Sequence, residues 1–483
     1  MRTPGLAAFL AALGDVPHST DAALCAQKSR DFHWFSPILR EALRGRVAEA
    51  VVAPRTEGEV MRVARAAARA RVPLTCRGAG TGNFGQAVPL KGGAVLDLSD
   101  LTGIRRLDPF RLRAAAGETL LGIDRAAQAD VRAELRIHPS TRRTATLGGF
   151  IAGGHAGVGS VSCGILRDPG NILAVRIVTA EEEPRVLEIT GTAVETVHHA
   201  YGVNGIITEV ELPLARAEPW VECIVAFATF AGAARFGLAL ALADGIVKKL
   251  VSPIAAPLTR FFGPLRPACP EGAAVVLAMV SEVSLHAMRG LAAEMGGQVT
   301  LEAAEGEGPD RVPLYEYAWG HTHFQAIKAD RRYTYLICIF PAEGTLEAIE
   351  RVESELRHEL WMHLECVRFG GRPTAQGVPV LLYEGKQQLA RLTAALERLG
   401  CRVANGHTWF LQNGGMKRID ASQLAFRRET DPMGLLNPGK IAGLDEGVEV
   451  SGGAADLPAS GWVFECEDAR RPLSPHGDAR IAF

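Results

Sequence analysis

In the stretch YEYAWGHTHF, Tyr315, Tyr317, Trp319, His321 and His323 recur at every second position. On a strand that spacing puts all five on one face. Imidazole, with an unperturbed pKa of about 6.5, can take and return a proton near neutrality, and aromatic neighbours would wall a small-molecule pocket. Imidazoles at i and i+2 can also converge on a metal ion, and a packed interior with satisfied histidines is the competing structural reading. Further along, Arg368 and Arg372 in VRFGGRP could hold a carboxylate through paired N–H groups, or sit on the surface as ordinary arginines.

Two glycine-rich segments offer a different chemistry. In RGAGTGNFGQ, Gly80 to Gly85 satisfies G-x-G-x-x-G. The elements around it decide what that means. Thr56 with Glu59 reads as a capping box opening a helix whose apolar face is Val60, Val63, Ala64, Ala67 and Ala68. Pro73 ends that helix, and a strand runs from Val72 to Cys76. After the glycines comes QAVPLKGG and another strand, Ala94 to Leu98, with no helix between. A nicotinamide-binding Rossmann unit needs a helix at that point. The loop must instead offer its backbone N–H groups as a concave nest, with the Thr81 hydroxyl as an extra donor. The second segment, His138 to Asn171, carries Gly148, Gly149, Gly153, Gly154, Gly157, Gly159 and Gly164. That density suits backbone wrapped around a flat or phosphate-bearing ligand. A strand, NILAVRIVTA, a hairpin partner, EPRVLEIT, a helix from Thr192 to Ala200 and a last strand follow.

The 483 residues allow two or three domains. Lys plus Arg is 52 and Asp plus Glu 54, a formal charge of −2, which argues against a nucleic-acid binder. No run of about 18 apolar residues suggests a spanning helix. The N-terminus reads as a surface helix better than as a signal peptide. Nine scattered cysteines without a C-x-x-C pair point to reduced thiols and a cytoplasmic setting.

These segments, with DPMGLLNPGKI near the C-terminus, resemble the vanillyl-alcohol oxidase superfamily, whose flavin domain is of the p-cresol methylhydroxylase type. Within it the chain looks like the glycolate oxidase and D-lactate dehydrogenase group. The resemblance implies an α+β chain with a two-subdomain FAD domain and a ferredoxin-like α+β cap. Residues 1–42 would form an N-terminal anchor, 43–215 the FAD domain, 216–400 the substrate cap, 401–445 the return to the FAD domain and 446–483 a tail. His33, Trp34 and Phe35 would dock the anchor on the FAD domain, with a substrate role as the alternative.

The resemblance also assigns residues to FAD. Arg77, Gly78, Ala79, Gly80, Thr81, Gly82 and Asn83 would cradle the diphosphate, with Gln86 beside them. Pro139, Ser140, Thr146, Leu147, Gly148, Gly149, Gly153, Gly157, Ser160, Val161 and Gly164 would line the flavin and ribityl chain, and Asp168 matches a motif position. Ile206 and Ile207 would face the adenine end, and Asn437 and Lys440 would close the pocket. Relatives that attach flavin covalently use a His or Cys where this chain has Gly80 and Arg143 or Thr144, so non-covalent FAD is expected. His155 could touch the flavin; Cys163 also sits where relatives often differ.

His407, in a region that reaches the flavin face in this superfamily, is the first choice for a base, with a loop histidine bonded to backbone as the competing reading. His321, His323, Tyr317, Arg368 and Arg372 complete the catalytic candidates, and no metal is expected. The implied reaction is oxidation of a hydroxyl-bearing carbon, most naturally of a 2-hydroxy acid, with hydride passing to flavin N5. Oxygen, a quinone or a carrier protein would reoxidise the flavin. An oxidase of a sugar, phenol or other alcohol is the alternative; another is an FAD-carrying subunit of a larger complex. A homodimer or partner subunits are compatible with the sequence.

Overall fold

Thr56 accepts a hydrogen bond from the Glu59 amide at 3.2 Å and caps the helix Glu57–Ala70. The Glu59 carboxylate reaches the Arg55 amide at 2.6 Å, one residue before the position a capping box would use. Val60, Val63, Ala64 and Ala67 are fully buried, so the apolar stripe is the packing face. In the computed structural model, which describes residues 3–442, strand Leu74–Arg77 follows. The tail expected from residue 446 lies outside those residues, as does Cys466.

Leu74–Arg77 and Ala50–Val52 both pair in parallel with Ala94–Asp97, and His18–Ser19 adds an antiparallel edge. The N-terminal segment is therefore stitched into this sheet. On the opposite edge, the Leu74 amide donates to the Leu435 carbonyl (2.8 Å) and the Asn437 amide to that of Leu74 (2.7 Å), which seats the NPGK segment there. A second, antiparallel sheet orders Ile104–Asp108, Arg111–Ala115, Ile206–Arg216, Ala174–Val178 and Val186–Thr190, with Ala133–Leu135 also on Ile206–Arg216. One core joins both sheets to the helices Glu57–Ala70 and Leu120–Val131. The helix expected over 192–200 is instead a 3-10 turn, Gly191–Thr196. His199 and Tyr201 follow at φ 49° and 52°, a conformation that cannot continue a right-handed helix.

The cap writes strand–helix–strand–strand–helix–strand twice. The first unit is Trp220–Phe227, Phe230–Leu242, Lys248–Ile254, Ala274–Ser281, Leu285–Glu294 and Gln298–Ala304. The second is Ile337–Ile339, Thr345–Leu356, Leu364–Phe369, Arg372–Gly377, Lys386–Arg398 and Arg402–Ala404. In each sheet the strands lie in the order second, third, first, fourth, the ferredoxin-like arrangement. The two sheets meet where Ile254 bridges His363. The cap is thus ferredoxin-like and doubled. Because Arg402–Ala404 completes its second sheet, the return to the FAD domain begins after Ala404 rather than at 401.

The segment Tyr315 to His323 is not a strand. Leu314–Tyr317 is a 3-10 turn and Gly320–Ala329 an α-helix, with Trp319 between them at φ 52°, ψ −136°. That reversal at Trp319 breaks the two-residue alternation, so the five side chains do not share a face.

Candidate active site

Strand Leu74–Arg77 delivers the first glycine loop to a cavity of about 220 Å³. The backbone N–H groups of residues 78 to 83 donate to no acceptor among the described residues. Arg77 holds the loop from below: its guanidinium donates to the carbonyls of Lys28 (3.0 Å), Ala79 (3.1 Å) and Arg30. Across from the loop stands a short helix, Leu147–Gly153, which the glycine content of its sequence concealed. Its first amides are engaged: Leu147 donates to Glu118 O, Gly148 to Ala116 O and Gly149 to Thr146 Oγ1. The donors left for an anion therefore belong to the loop, in keeping with a nest and not a helix end. Loop and helix cross closely. A Cβ at Gly78 would lie 2.0 Å from Thr146 Oγ1, and one at Gly148 2.6 Å from Ala116 Cβ.

Of the residues assigned to FAD from the sequence, Arg77 to Asn83, Gln86, Pro139, Thr146, Gly148, Gly149, Gly153 and Ile207 line this cavity. Others do not. Leu147 and Ile206 are buried in the FAD-domain core, and Val161 in the cap core. Ser160 is turned inward, where its hydroxyl accepts from the Gly157 amide at 3.0 Å. Gly164 makes a tight turn at φ 79° against Asp168. Asn437 and Lys440 sit behind the wall as braces. Asn437 Nδ2 donates to Gln86 O (2.8 Å) and Tyr201 O (2.7 Å), and Lys440 Nζ to Gly85 O (2.5 Å) and Val88 O (3.0 Å). Asp31, Cys76, Tyr201, Gly202 and Gly205 line the cavity without having been singled out. The Y-G-x-x-G turn around Tyr201 was the signal for the last three; nothing local marks Asp31, which arrives from the N-terminal segment.

A second cavity, also about 220 Å³, shares Thr81, Asn83, Pro139, Thr141, Gly153 and Ala156 with the first. Ser140 and Gly157 belong to it, as does His155. His199, Trp319, His321, His323 and Tyr335 supply imidazole and aromatic wall, and Gln376 an amide. Phe32 and Phe35 close it from the N-terminal segment, Phe35 stacked on Phe324 at 5.2 Å. The anchor around His33 thus packs against the cap as well as the FAD domain. Burial pushes His155 and His323 well below the ordinary imidazole range, and His199 to about 3. His321 Nδ1 lies 3.0 Å from the Glu316 carboxylate at a half-buried position.

Four catalytic candidates lie elsewhere. His407 is buried off both cavities with both ring nitrogens engaged. Nε2 donates to Tyr335 O (2.8 Å), which leaves Nδ1 to accept from the Ser36 hydroxyl (2.8 Å), and burial lowers the ring to about 4. Tyr317 packs its ring in the cap core and donates its hydroxyl to the half-buried Asp310. Arg368 is committed to Val161 O (3.1 Å) and Asp244 (2.6 Å). Arg372 sits exposed where its hairpin turns, paired with Phe369. No Lys or Arg lines the second cavity among the described residues, so the proposed carboxylate clamp is not assembled. Nor do three or more His, Cys, Asp or Glu side chains converge to hold a metal among those residues. No described helix is long and apolar enough to cross a membrane.

Residues 48–188 match the family model for an FAD binding domain. The chain is 28% identical over 209 residues to the glycolate oxidase subunit GlcD of Escherichia coli, covering 41% of this chain and 40% of that protein. It is 30% identical over 178 residues to the D-lactate dehydrogenase of Archaeoglobus fulgidus, covering 35% of this chain and 38% of that protein. These matches span about two fifths of each relative or less. An alkyldihydroxyacetonephosphate synthase structure superposes with a TM-score of 0.69 at 14% identity, covering 91% of this chain and 85% of that one, which establishes a shared fold. The site agrees with the cofactor these matches imply. Six consecutive unengaged amides suit a diphosphate, and Gly153, where a Cβ would meet nothing closer than 3.5 Å, leaves the room a flat ring needs. Residues 48–188 thus form an FAD-binding domain whose cofactor is FAD, in a chain similar to FAD-linked oxidoreductases.

Proposed function

We propose that the chain is an FAD-dependent oxidoreductase that oxidises a hydroxyl-bearing carbon in the second cavity. The observation that carries this reading is the wall the two cavities share, which sets the glycine cradle beside a chamber of imidazoles and aromatic rings. FAD held in the cradle supplies the two-electron, hydride-accepting chemistry. The protein's part is to place the alcohol, exclude water and take the hydroxyl proton. His321 is the base this geometry favours. The Glu316 carboxylate lies 3.0 Å from Nδ1, and its charge stabilises the imidazolium formed when the proton arrives. His155, His199 and His323, held neutral by burial, are weaker candidates for that step.

Cofactor attachment is read as non-covalent. Gly80, Arg143 and Thr144 carry neither imidazole nor thiol. Cys76, which does line the first cavity, is a thiol that burial pushes up to about 12, far from a reactive thiolate. Denaturation should therefore release free flavin.

The relatives' names favour glycolate or D-lactate as substrate; the absence of a cationic clamp among the described lining residues favours an alcohol without a carboxylate. Anaerobic titration of the holoprotein against a 2-hydroxy-acid panel and an alcohol panel, followed by loss of flavin absorbance, separates the two. His321→Asn should slow that loss by about 10²–10⁴-fold at unchanged FAD content. An unaltered rate would remove His321 from the reaction. Because one relative is named a subunit, an FAD-carrying subunit is the second reading, supported if no compound in either panel reduces the isolated chain.

A further inference from the structure

His199 stands at φ 49°, and Tyr201, two residues on, at φ 52°. A non-glycine residue holds such a backbone only where its surroundings impose it. Here the end of the helix Leu147–Gly153 imposes it. The His199 amide donates to Ile151 O (3.0 Å) and the Tyr201 amide to Ala152 O (2.9 Å), while His199 Nδ1 lies 2.9 Å from Gly154 O. A carbonyl only accepts, so the proton of the neutral ring is on Nδ1 and Nε2 carries a bare lone pair. Burial, which pushes the ring down to about 3, keeps it neutral.

Nε2 meets no partner among the described residues and stays open on the second cavity, whose wall the ring joins. The opening is small, since the residue is 1% exposed, and it suits one donor arriving from one direction. The unpaired ring nitrogens of Trp319 and His323 on the same wall are, by contrast, sealed in the protein. Where His321 has the Glu316 carboxylate beside Nδ1, His199 has a neutral carbonyl, which stabilises an imidazolium less. The hydroxyl that is oxidised gives its single proton to His321, so the lone pair of His199 needs another donor on the same molecule. A carboxylate has none and would set its charge against that lone pair. A second hydroxyl supplies one.

We propose that His199 determines specificity in the second cavity: its Nε2 accepts a hydrogen bond from a second hydroxyl of the substrate, which is therefore an uncharged diol or polyol. The proposal rests on reading this cavity as the substrate site.

The test titrates the FAD-loaded protein calorimetrically with trans-1,2-cyclohexanediol, its monomethyl ether, cyclohexanol and D-lactate. The cavity of about 220 Å³ exceeds the roughly 150 Å³ in which an engineered cavity accepts a six-membered ring. The diol should bind about fivefold or more tightly than the other three. His199→Asn tolerates a positive φ and can keep a donor to Gly154 O, but it removes Nε2. It should abolish the preference for the diol and leave cyclohexanol unchanged, at full FAD content and an unaltered unfolding midpoint. His199→Gln, whose amide reaches about as far as Nε2, should restore part of the preference. A measurement on the natural protein needs no variant to fold: with ¹⁵N-labelled histidine, the diol should shift the resonance of one unprotonated imidazole nitrogen and the methyl ether should not. A diol that binds no more tightly than cyclohexanol, a preference that survives His199→Asn, or D-lactate binding as tightly as the diol overturns the proposal. The readout is binding, so it is separable from turnover. Diol binding that depends on His199 without flavin reduction supports the role of His199 while counting against alcohol oxidation.

Discussion

The Glu365 carboxylate lies 2.5 Å from the backbone nitrogen of Trp319 and holds that residue at φ 52°, ψ −136°. The same oxygen accepts the Ser252 hydroxyl (3.1 Å) and lies 2.7 Å from His363 Nε2. A tryptophan adopts such a backbone only when its surroundings impose it. Glu365 thereby sets where Trp319 and the helix carrying His321 and His323 meet the second cavity. Glu365→Ala should cost about 1–3 kcal/mol in urea unfolding, since it leaves the buried Trp319 amide unmet, whereas Ser252 keeps Leu364 O and His363 keeps Thr322 Oγ1. Glu365→Gln, which keeps an acceptor for the Trp319 amide, should cost clearly less. Equal effects of the two substitutions would show that this contact does not hold the turn.

Gly153 and Gly148 make a matched pair of tests on the cradle. A Cβ at Gly153 meets nothing closer than Gln86 Nε2 at 3.5 Å, so a side chain there fits the protein and occupies the space the cavities share. Gly153→Val should keep a native far-UV circular dichroism spectrum while bound FAD falls about tenfold or more. Gly148→Ala drives its Cβ to 2.6 Å from Ala116 Cβ, beside the backbone of the same residue, and should lower the unfolding midpoint itself. Full FAD content in Gly153→Val would move the flavin elsewhere.

Arg142 ties the domains together. It reaches Asp124 of the FAD domain at 3.1 Å and Glu305, just past the last strand of the first cap unit, at 2.8 Å, and it lies over the Tyr315 ring. Lys249 and Glu134 make a second buried crossing at 2.9 Å. Removing one member of such a set strands the partners' charge. Arg142→Ala should therefore cost about 3–5 kcal/mol in chemical unfolding. The double change Asp124→Ala with Arg142→Ala should cost less than the sum of its single variants, since each removes the other's uncompensated partner. Strict additivity would mean the two side chains act independently.

How far the sequence was legible follows from how far apart the deciding contacts lie. The helix Glu57–Ala70 and the loop from Arg77 to Asn83 were readable because cap, apolar stripe and glycines are all local. The Trp319 turn was not: the carboxylate that imposes it stands 46 residues away, and alternation alone predicted a strand. The surroundings of His407 were hidden for the same reason, because Ser36, 371 residues earlier, donates to one of its nitrogens. The doubled cap was hidden in strands of three residues, Ile337–Ile339 and Arg402–Ala404, too short to show a period, and in Lys248–Ile254, buried at every position.

Lys440 gives the fold a pH dependence with a definite sign. Its ammonium is fully buried and donates to Gly85 O and Val88 O, the backbone beneath the cradle, and burial pushes it down to about 7 from an ordinary 10.5. Between those values the unfolded chain binds the proton and the folded chain does not, so stability rises with pH across that window and the dependence flattens below pH 7. Lys440→Met cannot titrate. The stability of the natural protein relative to Lys440→Met should therefore increase from pH 7 to pH 10, by roughly 3–5 kcal/mol at most. Lys417, pushed to about 8 by burial, adds a slope of the same sign to both proteins and cancels in the difference. Guanidinium unfolding at several pH values measures it. A difference that stays constant across the window would mean that Lys440 remains protonated in the fold, and that its two carbonyl contacts outweigh its loss of water.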